Sequence, residues 1–197
     1  TIESTGSSTR IEGAKLTDLE VEALLSRAAS RLLATRDEQE VVGYAEVMDL
    51  ILSTHEAIPV SESHIKQLHS MLLRHVEKDA RHRGEYKKIG NQIEAFDASG
   101  ASLGVIPRTT SPFDTPREMR ELVDWFTQEY EAGSLHPLIV TGVFVVVFLA
   151  IHPFQDGNGR LSRALTTLIL LKYGYAFVPY ASLERIIEQT KDGYYLA

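Results

Sequence analysis

The 197-residue chain contains no cysteine. That excludes disulfide frameworks, thiolate metal sites and cysteine nucleophiles, and it fits a reducing, cytoplasmic compartment. Positive charge is also short. Twenty Lys plus Arg stand against 27 Asp plus Glu, a formal net charge of −7, which argues against a general binder of nucleic acid or anionic membrane. No apolar run reaches the roughly 20 residues of a membrane span. The most apolar stretch, Leu138 to Ile151, is broken by Thr141 and Gly142 and reads as an element buried all round in a core. The start, TIESTGSSTR, lacks the basic-then-apolar layout of a signal peptide. With 44% apolar residues the chain has ordinary globular composition and is long enough to bury a core in one domain.

Helix signals dominate. Thr17 with Glu20 has capping-box spacing and opens a helix predicted over 18–33, with Leu24, Ala28 and Leu32 on one stripe. A second is predicted over 38–53, carrying Val42, Ala45, Met48 and Leu52. A third begins at Ser61 or Ser63 with Ile65, Leu68, Met71 and Leu72 inward. Between Gly84 and Pro116 glycine and proline break the rhythm. Ile93–Phe96 and Leu103–Ile106 flank the turn-like Asp97–Gly100, which predicts a small β-hairpin lying on the helical body. Thr115-Pro116 reads as an N-cap followed by proline, with Gly133 as the stop. His136-Pro137 opens the apolar run, read as helix because it is long for a strand. Helices over 160–173 and 182–190 complete an all-α bundle.

The chemistry concentrates in His152-Pro-Phe-Gln-Asp156-Gly157-Asn158-Gly159-Arg160-Leu-Ser-Arg163. Gly and Asn tolerate positive φ, so a Gly-Asn-Gly turn can aim successive N–H groups at one point as an anion nest. The N-terminus of the next helix adds its dipole and unpaired donors. Arg160 and Arg163 stand at i and i+3 on that helix. Asp156 is a hard oxygen ligand suited to Mg²⁺ bridging phosphates, and His152 is a general-base candidate. The alternative is a plain helix–loop–helix turn with solvated arginines. The remaining histidines, His55, His64, His69, His75, His82 and His136, do not form metal-ligand spacing; His64 and His69 are off the i, i+4 pattern.

HPFQDGNGRLSR resembles the Fic-domain motif HxFx(D/E)GNGRxxR at every specified position. Eight fixed positions arise by chance roughly once in 10¹⁰ windows. GEYKKIGNQI and the hairpin after it are similar to the family's flap, about 91–107, and PREMRELVDWF to the helix that follows it. The resemblance implies a Fic-type helical bundle with one hairpin, acting as a Mg²⁺-dependent protein adenylyltransferase. In that reading AMP passes from ATP to a Ser, Thr or Tyr hydroxyl of a target protein presented at the flap. It implies His152 as base, Asp156 as Mg²⁺ ligand, and Gly157, Asn158, Gly159 and Arg160 around the phosphates, with Arg163 on the γ-phosphate. Phe154 matches a packing position. Tyr194 and Tyr195 resemble a pair that borders adenine.

Composition alone makes the first dozen residues a frayed terminus. However, Ser8-Thr-Arg-Ile-Glu12-Gly13 matches the family's inhibitory motif (S/T)xxxE(G/N). That implies a short helix within 1–13 ending at Gly13, whose Glu12 competes with ATP for Arg163. Alternatives are removal of AMP from a modified target, transfer of another phosphodiester, or a nucleotide-binding regulator without turnover. No nucleic-acid or membrane partner is expected, and the oligomeric state is open.

Overall fold

The computed structural model describes residues 2–27, 32–91, 94–96, 102–105 and 109–190. Among them lie eight α-helices: α1 (Ile2–Ile11), α2 (Asp18–Leu25), α3 (Arg36–Thr54), α4 (Glu62–Leu72), α5 (Thr115–Ala132), α6 (Pro137–Ile151), α7 (Asn158–Lys172) and α8 (Leu183–Gln189). One antiparallel pair joins β1 (Glu94–Phe96) to β2 (Ser102–Val105), with Ala95 opposite Gly104 and a bulge at Ala95/Phe96. The fold is all-α with a small hairpin, as expected.

Local chemistry explains most boundaries. Capping boxes start α2 at Thr17 with Glu20 and α3 at Thr35 with Glu38, each satisfying donors the first helical turn leaves unpaired. The second box moves the start of α3 two residues upstream of expectation. Ser61 caps α4 through His64 N–H. Gly133 closes α5 in the left-handed conformation at φ 59°, which glycine adopts without a Cβ clash. Three expectations are corrected. The helix of 18–33 ends at Leu25, and Leu32 lies exposed rather than on a buried stripe; Ala28 falls outside the described residues, as do the turn 97–100 and Tyr194 and Tyr195. The N-cap of α5 is Asp114, because Thr115 turns its hydroxyl back to the Ser111 carbonyl, 2.8 Å away.

The third correction concerns the core. Helix α6 is not buried all round: Val140, Phe144 and Phe148 face inward, whereas Val146 is 67% exposed and Leu138, Ile139 and Val143 are also open. With no charged residue between Pro137 and Ile151, the sequence has no polar marker for its outer side. The central helix is α7. Leu161, Ala164, Leu165 and Ile169 have no exposure, and α7 packs against α1, α3, α4 and α6. Burying each such Leu or Ile contributes about 1.5–3 kcal/mol. The first two turns of α7 carry Asn158, Arg160 and Arg163, so the motif loop is fastened to the axis of the core. No described helix is long and apolar enough to cross a membrane.

Candidate functional site

The site begins where α6 stops. His152 caps α6 with φ 50°, the sole non-glycine residue with positive φ among those described. That conformation is uncommon and costs of order 1–3 kcal/mol. It turns the chain sharply into the loop 153–157. Burial and then the nearby Lys87 charge push the His152 imidazole down to about 4, so it is neutral and ready to accept a proton at physiological pH. Its Nδ1 is buried with no well-formed hydrogen bond.

The loop is braced from three sides. The Asn158 amide is doubly bonded to Phe154: Oδ1 accepts from Phe154 N–H at 2.9 Å, and Nδ2 donates to the Phe154 carbonyl at 2.8 Å. Its side chain therefore shapes the loop, and any nest function rests on its backbone. His69, fully buried on α4, stacks on the Phe154 ring at 3.8 Å and 9°. Its Nδ1 accepts from Gly84 N–H at 2.9 Å, which leaves Nε2–H to donate to the Asp156 carbonyl at 3.0 Å. Burial pushes His69 down to about 4, in keeping with this neutral tautomer. Below lies Lys87, whose buried amine donates to the Ile151 carbonyl (2.9 Å), Asn91 (3.0 Å) and Thr109 (3.2 Å). Burial lowers its pKa to about 8. Asn91 donates to the Phe154 carbonyl, and Thr109 donates to the Asn91 carbonyl. These residues immediately precede and follow the hairpin region, so its two roots are tied to each other and to the loop.

Gly157 (φ 79°) starts α7, and the first intrahelical bond runs from Leu161 N–H to its carbonyl. The N–H groups of 158–160 therefore belong to the unpaired first turn, where anions bind. Asp156 Oδ1 accepts from Gly157 N–H at 2.6 Å. Burial opposes ionisation of Asp156, but Arg160, the Gly157 N–H and Arg36 outweigh it and hold the carboxyl below its usual range. Among the described residues no three His, Asp or Glu side chains form a metal cluster. An ionised, hard and partly exposed carboxylate is nevertheless suited to Mg²⁺ of the kind that takes its other oxygens from phosphates and water.

Arg163, almost fully buried, reaches α1. Its Nε donates to Ser8 Oγ at 2.8 Å, and its Nη2 donates to the Ser8 carbonyl at 2.9 Å and to Glu12 Oε1 at 2.8 Å. The same Glu12 oxygen crowds Gly159 so closely that a Cβ there would collide with it. Glu12 thus lies at the mouth of the α7 N-terminus. Helix α1 is docked, not frayed: Thr5, Ser7, Ser8 and Thr9 are buried, and Arg10 makes a bidentate pair with Glu188 of α8 at 2.6 and 3.1 Å. Its small side chains let it lie close to its neighbours, and Thr9 turns its hydroxyl back to the Thr5 and Gly6 carbonyls.

Residues 59–170 match the model of the Fic/DOC family. The chain belongs to that family. Among curated Fic relatives, a protein adenylyltransferase Fic of Drosophila willistoni is 31% identical over 84% of this chain, and that of Drosophila melanogaster is 30% identical over the same share. The chain spans only 31% of each of these proteins. Among solved structures, a Fic-domain signaling protein from Bacteroides thetaiotaomicron superposes with a TM-score of 0.73 at 30% identity, over 88% of this chain and 63% of its own. A Fic family protein from Desulfovibrio desulfuricans gives 0.75 at 26% identity, over 98% and 54%. Every described Fic-motif residue singled out from sequence lies in or against the loop and first turn of α7. Reading the sequence missed His69, Lys87, Asn91, Thr109, Glu40 and Arg36; only the KKIGN stretch hinted at two of them.

Proposed function

We propose that this chain transfers AMP from ATP to a hydroxyl of a target protein, and that Glu12 holds the transferase off at rest. The observation that carries the proposal is one arrangement: a neutral His152 beside an unpaired helix N-terminus, with Arg163 diverted to Glu12. The triphosphate is placed on the first turn of α7, its γ-phosphate in the position where Arg163 now meets Glu12. A charge-assisted bond to a carboxylate or to a phosphate uses the same donor, so Glu12 and the productive triphosphate compete.

In the step itself, His152 takes the proton from the target hydroxyl as its oxygen bonds to the α-phosphorus. The bond to the β-phosphate oxygen breaks and pyrophosphate leaves. His152 then releases its proton to solvent or product. The neutral resting state of His152 suits this role. Arg160 and the α7 N-terminus offset phosphate charge from fixed positions, which is where electrostatic preorganisation is most effective. Asp156 would hold Mg²⁺, which would supply neutralisation of phosphate charge. The target segment is assigned to the hairpin, pairing main chain to main chain along a strand edge.

Glu12 supports a second use of the same site. Its carboxylate is one-third exposed and lies against Gly159, in position to activate water on an AMP-modified target. Radiolabelled AMP incorporation by wild type, Glu12→Gly and His152→Ala tests the first reading. Transfer is expected from Glu12→Gly and none from His152→Ala, which still binds ATP. Equal labelling by wild type and Glu12→Gly contradicts autoinhibition. AMP release from labelled target by wild type, lost in Glu12→Gly, would favour the second.

A further inference from the structure

We infer that Arg36 is a displaceable counter-ion of Asp156, and that it sets how tightly the site accepts its divalent cation. The inference rests on the reading of Asp156 as the cation ligand. Arg36 lies 120 residues away in sequence, at the first position of α3, where the Thr35–Glu38 capping box fixes its backbone. Its Nη2 donates to Asp156 Oδ2 at 2.6 Å, while its Nε donates to Glu40 Oε1 at 2.7 Å. Glu40 Oε2 pairs with Arg160 Nη1 at 3.0 Å, and Arg160 Nη2 returns to Asp156 Oδ1 at 3.3 Å. Four side chains of alternating charge close a ring across α3 and the motif loop.

The two arginines of the ring are not equivalent. The side chain of Arg160 is 2% exposed and that of Arg36 is 49% exposed. Removing Arg160 would strand a buried charge, which is costly. Arg36 can leave into water while Arg160 still compensates both acids. It also has an alternative partner. Asp79 Oδ2 lies 3.6 Å from the same Nη2 and is buried without a hydrogen bond. A buried acceptor left unmade is unfavourable, so closing that short gap favours the move. Here Arg36 occupies Oδ2, one of the two carboxylate oxygens open to a cation. When the cation arrives, Arg36 shifts to Asp79 and keeps its bond to Glu40.

The test is Mn²⁺ binding, read from free Mn²⁺ by electron paramagnetic resonance, with saturating α,β-methylene ATP and the full chain carrying Glu12→Gly. Arg36→Gln is expected to tighten Mn²⁺ about three- to fivefold, the scale of one partly exposed ion pair. Arg36→Lys keeps the charge and stays near the parent. Asp79→Asn withdraws the alternative partner and weakens Mn²⁺ binding; it carries the test should Arg36→Gln fail to fold. Asp156→Ala is the control for the reading beneath. Unchanged or weaker binding in Arg36→Gln, with Asp156→Ala weakened, overturns the inference and leaves the metal reading intact. Unchanged binding in Asp156→Ala overturns both.

Discussion

His69 offers a perturbation whose size and pH dependence both follow from its contacts. His69→Phe keeps a flat ring stacked on Phe154 but removes the donor to the Asp156 carbonyl and the acceptor for Gly84 N–H. Two partly buried backbone groups are then left unpaired, at about 1–3 kcal/mol each. At pH 7 the variant should be less stable by about 2–6 kcal/mol. The difference must shrink in acid. His69 has its pKa lowered to about 4 in the folded chain, against roughly 6.5 when unfolded. Between those values the unfolded state binds more protons, so the wild type loses stability as pH falls from about 6.5 to 4, by about 3 kcal/mol from this residue. His69→Phe lacks that loss. His152, lowered in the same way, is present in both proteins and largely cancels. Urea unfolding followed by the fluorescence of Trp125, the sole tryptophan, at pH 7 and pH 4.5 reads both numbers. A gap that stays constant with pH, or widens in acid, refutes the assigned tautomer and partners.

Further outcomes follow from the same geometry. Lys87→Met removes the cation that helps depress His152, so the His152 pKa should rise from about 4 toward its ordinary value; an imidazole NMR titration that does not move contradicts this. Arg10→Ala cuts the bidentate tie of α1 to Glu188 and should cost about 1.5–3 kcal/mol. It should also raise AMP transfer above wild type but below Glu12→Gly; a variant as silent as wild type would show that α1 needs no such anchor. Leu165→Ala, at the fully buried centre of α7, should cost about 2–5 kcal/mol in a denaturation measurement.

The site was legible in the sequence to the extent that its parts are contiguous. His152 through Arg163 form one turn and one helix start, so their types and spacing describe the local geometry directly. Glu12 was legible only through its motif, because Ser/Thr-rich composition pointed toward a frayed end. What that composition encodes is a helix slim enough to pack against α3 and α8. The supporting residues were hidden for a different reason. His69, Lys87, Arg36 and Glu40 come from elements 64 to 120 residues from the groups they brace, and nothing in their neighbourhoods marks them. His69 looks like one histidine among several until its ring is found on Phe154. The apolar run of α6 failed as a burial signal because hydrophobicity without periodicity does not say which face meets water. The first two turns of α7 carry two arginines, yet that helix is the centre of the core.

The most direct measurement is AMP incorporation from labelled ATP, with Mg²⁺ and host lysate, by Glu12→Gly beside wild type and the Glu12→Gly/His152→Ala double variant, read by mass spectrometry. Glu12 holding Arg163 at 2.8 Å predicts an AMP adduct, on the chain itself or a lysate protein, that is at least tenfold more abundant with Glu12→Gly and absent from the double variant. Equal adduct in wild type and Glu12→Gly, or adduct that persists without His152, would contradict it.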